Sequence, residues 1–116
     1  MVVTFLNAEE PQPEGQLAFS ITFDNHAIDL GKLKLDSRAI LKPDPGEPVS
    51  TGFGWKQEGS GHHASGLLTL KNQNAAGKPI VSRQTRSLTL ELRDAIGSGS
   101  LVFQFENGGW NVPQNS

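Results

Sequence analysis

The chain has no cysteine, and that one absence excludes a disulfide framework, thiolate zinc sites, iron–sulfur ligation and cysteine catalysis together. It has no run approaching the roughly 20 apolar residues of a membrane-spanning helix, so direct membrane insertion is not expected. Charge of one sign is also lacking: ten basic residues stand against twelve acidic ones, for a formal net charge of −2. Without basic runs, a nucleic-acid partner held by phosphate neutralisation is not expected. The opening "MVVTFLNAEE" lacks the basic n-region and long apolar stretch of a secretory signal, which leaves a cytoplasmic protein or an excised mature domain as the alternatives, and no N-x-[ST] sequon occurs. At 116 residues the chain can still bury one core without a metal or disulfide staple. Any bound metal would therefore serve function rather than folding.

The dominant pattern is alternation with period two, the mark of half-buried strands. Leu17, Phe19, Ile21 and Phe23 alternate with Ala18, Ser20, Thr22 and Asp24. Leu88, Leu90 and Leu92 do so against Thr89, Glu91 and Arg93, and Leu101, Phe103 and Phe105 against Val102, Gln104 and Glu106. Weaker runs lie at 2–6, 33–41, 49–55, 67–70 and 80–81, with a short helical turn conceivable inside "LGKLKLDSRAILKPD". Between them stand the turn clusters "EEPQPEG", "KPDPGEP", "EGSG", "NQNAAGKP" and "DAIGSGS". About seven or eight short strands so punctuated predict an all-β, antiparallel, immunoglobulin-like sandwich, with a small closed barrel as the alternative. Residues 1–106 read as this single domain and 107–116 as a flexible tail.

The three histidines fall in two places. His26 follows the strongest strand in "FDNHAIDL", three residues before Asp29. His62 and His63 are adjacent within "GSGHHASG". In a strand, neighbours face opposite ways, so both could ligate one ion only from a loop, which Gly59, Gly61 and Gly66 allow. His26, Asp29, His62 and His63 are the candidate metal ligands. Neutral imidazoles with one carboxylate suit a transition metal such as zinc or copper. The bland alternative is that each histidine closes its own turn by hydrogen bonds.

Catalytic sets are incomplete. Ser65 with a histidine and Asp29 has the residue types of a triad, but no G-x-S-x-G elbow exists, and "GFGWKQ" has Gln57 where a dinucleotide fingerprint needs glycine. The expectation is a non-enzymatic domain. Phe53 and Trp55, and Trp110 further on, could form a stacking surface for a glycan or protein partner, which makes an adhesion or carbohydrate-binding module the second reading. The more common role of such rings is to cap a sandwich core.

With "NHAIDL" at 25–30, and Trp55 followed by "GSGHHASG" at 59–66, the chain resembles a family of bacterial, mostly exported β-sandwich domains. Its marks are a T-H-S-V-D-L-like motif and a Trp followed by a G-G-H-H-x-S-G-like motif. The closing "LTLELRDAIGSGSLVFQFE" is also similar to that family. Asn25, Ala27 and Ser60 depart from the pattern, while His26, Asp29, His62 and His63 match it. The resemblance implies that the three histidines share a site, and that the domain is extracytoplasmic, its signal or anchor lying outside this sequence. It implies no particular activity.

Overall fold

A computed structural model describes residues 2–9, 15–23, 35–57, 64–93, 100–108 and 110. Seven strands are present: β1 (Val2–Phe5), β2 (Gln16–Phe23), β3 (Ala39–Asp44), β4 (Phe53–Gln57), β5 (Ala64–Lys71), β6 (Ser87–Leu92) and β7 (Leu101–Glu106). They form two open antiparallel sheets, β1-β2-β5-β4 and β3-β6-β7. In strand letters this is ABED against CFG, the order of an immunoglobulin constant-type sandwich. A closed barrel is excluded, because each described sheet keeps two edges.

The alternation read from the sequence determines the faces. Leu17, Phe19 and Ile21 of β2 and Leu88, Leu90 and Leu92 of β6 are all fully buried, while Ser20, Thr22, Thr89 and Glu91 are partly exposed. Ala18 is buried too; it sits opposite Thr69, on a strand with neighbours on both sides. Between the sheets, Phe5 sits 5.0 Å from both Phe19 and Trp110, edge-on to the indole, and Phe105 closes the group at 5.9 Å from Phe19. Edge-to-face and tilted rings are the arrangements that aromatic quadrupoles favour. Trp110 is thus a core residue, and the packed core continues past residue 106.

Several weak runs break up in the structure. The 33–41 run holds the short helical turn that the sequence allows there, as a 3-10 turn at Leu35–Ser37, followed by β3, which continues through the expected turn "KPD" as far as Asp44. The 49–55 run also divides. Val49 makes a single reciprocal bridge to Leu41, 2.8 Å in each direction, and the strand proper begins at Phe53. Ile80 and Val81 are buried but form no strand.

Two asparagine side chains take the place of backbone at such points. After β1 the chain turns off in a 3-10 turn, Leu6–Ala8, and the Asn7 amide continues the ladder against β2. Its Nδ2 donates to the Gln16 carbonyl and its Oδ1 accepts from the Ala18 N–H, both at 3.0 Å. After β5, Asn72 does the same for Val81, donating to its carbonyl and accepting from its N–H, both at 2.8 Å. An amide group is isosteric with a peptide unit, so it satisfies buried backbone that has no strand partner.

Candidate functional site

The two segments expected from the sequence to carry the site border strands of one sheet that end together. His26 and Asp29 follow β2, and His62 and His63 precede β5; all four are outside the described residues. Their anchors are described: β2 and β5 pair along their whole length, from Gln16 with Lys71 to Phe23 with Ala64. The residue from which the first segment departs is therefore the direct cross-strand partner of the residue at which the second arrives.

Immediately beside this end, β4 brings Trp55 and Gly66, the described ends of the second motif, together. Trp55 pairs with Leu68, on the inter-sheet face, and its ring lies over Gly66. A β-carbon on Gly66 would stand 2.7 Å from the Lys56 carbonyl oxygen and 2.7 Å from Trp55 Cζ2, and nearer still to Cη2. Glycine is needed there for space. The sequence reading treated this glycine only as loop-forming; it lies inside β5, as a seat for the indole. An aromatic residue two strand positions from a cross-strand glycine is the pattern that signals such a seat.

Phe53 and Trp55, the candidate stacking residues, are half-buried and packed against the core, with Leu70 and Leu68 as their respective cross-strand partners. The Leu35–Ser37 turn packs against the same strand. Their rings are engaged in capping the sandwich, and Trp110 is only 5% exposed. Ser65 lies opposite Thr22 on β2. Arg38, Arg83, Arg86 and Arg93 are exposed; Arg86 pairs with Asp44 at 3.0 Å, in a setting where such pairs contribute little.

Among the described residues no group of three or more His, Asp or Glu side chains could hold a metal, and all three histidines of the chain lie outside them. A groove of about 540 Å³ at the Lys71 end of the first sheet, between the 43–51 and 74–80 segments, is lined mainly by Pro43, Pro45, Pro48, Pro79 and Ile80, with Glu47 as its one charged side chain. It contains no histidine and a single carboxylate, Glu47.

The fold places the chain in the class of immunoglobulin-like β-sandwich domains. No family model, curated protein or solved structure matches it.

Proposed function

We propose that the protein is a non-enzymatic, extracytoplasmic binding domain that holds a transition-metal ion, zinc or copper, through His26, His62 and His63, with Asp29 offsetting charge. The supporting observation is the Phe23–Ala64 pairing. Antiparallel partners stand roughly 5 Å apart at Cα. A tether of three residues leads from Phe23 to His26 and one of a single residue from Ala64 to His63, at ~3.8 Å per step. Both are short enough for one ion to be served from both segments. Imidazole donors with a carboxylate suit these borderline metals. The extracytoplasmic assignment rests on the family resemblance.

Calorimetry with zinc, copper(II) and nickel at mildly alkaline pH tests this. We expect dissociation constants at or below about 1 μM for at least one ion. Affinity should fall as pH drops through about 6.5, where protons compete for the neutral imidazoles. His26→Ala and His62→Ala should each weaken binding by about 10–100-fold or more. Absence of micromolar binding would sink the metal reading. Binding that survives His26→Ala intact would show that the two segments do not converge.

A further inference from the structure

We propose that the protein associates with a second copy of itself by antiparallel pairing of β7 with β7 of the partner, centred on Phe103, joining two three-stranded sheets into one of six strands. The four described sheet edges, β1, β4, β3 and β7, are unequally guarded. Free edges present unpaired N–H and C=O groups, and monomeric proteins blunt them with lysine, proline, short length or a covering segment. β3 carries Lys42 and Pro43 and is bridged by Val49. β4 carries Gly54 and Lys56. β1 has only four residues. Among the described residues β7, Leu101–Glu106, has none of these devices: "LVFQFE" is strongly β-prone, six residues long, and charged only at its end. Among the described residues it pairs with β6 alone.

Burial points the same way. Across the second sheet the inward row is fully buried on β6, where Leu88, Leu90 and Leu92 are inaccessible, yet on β7 Leu101, Phe103 and Phe105 remain half-open. The two exposed large aliphatic side chains among the described residues are Val102, at 60%, and Val2, at 56%. They lie on the edge strands β7 and β1, which flank the same side of the sandwich, where Phe105 approaches Phe5. Apolar surface is thus concentrated along the one side whose longer strand is unguarded.

A second copy fits this edge by parity and by charge. Directly opposed residues of an antiparallel pair share a face, so a two-fold axis must pass through a residue. Centred on Phe103, the inward row matches Leu101 with the partner's Phe105 and Phe103 with the partner's Phe103. The outward row matches Val102 with the partner's Gln104, and Glu106 falls opposite the partner's Ser100. No like charges oppose one another, and three half-open apolar side chains of each copy gain cover. Edge pairing of this length buries less than a standard interface of ~1,600 Å², so the dimer is expected to be concentration-dependent.

Sedimentation of the full chain over a concentration series, without metal and with chelator, is the test, and it reads out independently of the histidine site. The expected result is a reversible monomer–dimer equilibrium that disappears in the double variant Val102→Lys and Gln104→Lys. Both side chains are exposed, so the fold should be kept by circular dichroism, but each new lysine meets one of the partner's. Because the chain has no cysteine, the register can be read as well. An equimolar mixture of the Val102→Cys and Gln104→Cys variants should crosslink to each other under a short bis-methanethiosulfonate, which forms a disulfide with each thiol and releases sulfinate. A wild type that stays monomeric to ~1 mM, or a dimer untouched by the two lysines, overturns the proposal; self-crosslinking of Gln104→Cys alone overturns the Phe103-centred register.

Discussion

Gly66→Ala is expected to destabilise the protein by about 3 kcal/mol or more, against a total of roughly 6–17 kcal/mol for a chain of this length. The added methyl would meet the Lys56 carbonyl oxygen at 2.7 Å as well as the Trp55 ring. The ring alone could swing aside. The carbonyl belongs to β4, whose pairing with β5 sets Gln57 opposite Gly66 and Lys56 opposite Leu67, so moving it means parting two strands. Urea denaturation should show a lowered midpoint with an unchanged slope. Trp55→Leu in the same background should restore only part of the loss, because the carbonyl contact remains; a double-mutant cycle separates the two contributions. A loss below about 1 kcal/mol would mean that the indole does not rest on Gly66. The same variant should lower metal affinity, since the seat lies just inside the β5 end that leads to His63.

Asn72→Ala is expected to cost about 2–5 kcal/mol. The change leaves both the N–H and the carbonyl of fully buried Val81 without a partner, and each unsatisfied buried group costs about 1–3 kcal/mol. Asn72→Asp is the sharper probe. Its carboxylate still accepts from the Val81 N–H but opposes the Val81 carbonyl, so the fold favours the protonated form and raises its pKa above the unfolded value. For a raised carboxyl pKa the folded state gains relative stability below the unfolded pKa and loses it as pH rises through the folded one. Asn72→Asp should therefore approach wild-type stability on acidification and fall away towards neutrality. A variant whose deficit is independent of pH would show that Asn72 contributes only packing. The exposed Lys42–Glu91 pair, 3.1 Å apart, provides a contrast, since breaking it should change stability by less than about 1 kcal/mol.

The three strongest strands were legible because alternation is a local property: each side chain's face follows from its neighbours two positions away. The faces of Leu17, Phe19 and Ile21, and of Leu88, Leu90 and Leu92, needed no partner to be read. Weak runs failed where a neighbour decided the outcome. Ile80 and Val81 look like a strand, but the backbone partner of Val81 is the Asn72 side chain. Trp110 stands after Asn107-Gly108-Gly109, a plain turn signal, and is nevertheless drawn into the core by Phe5 while the Asn107 Oδ1 accepts from its N–H at 3.1 Å. Polar asparagines read as turn formers, and nothing local marks them as substitutes for a peptide unit.

The sequence by itself determined the strand class, the absence of thiol chemistry, and the two segments that carry every histidine of the chain. Only the tertiary structure decided that those segments border adjacent, paired strand ends, that Gly66 is a seat for Trp55, and that β7 stands at a sheet edge with β6 as its one strand neighbour among the described residues. The difference is one of range. Side-chain alternation is enforced by the backbone of each strand alone, whereas which strands pair, and so which residues as distant as Phe23 and Ala64 meet, is settled by burying all the apolar faces at once.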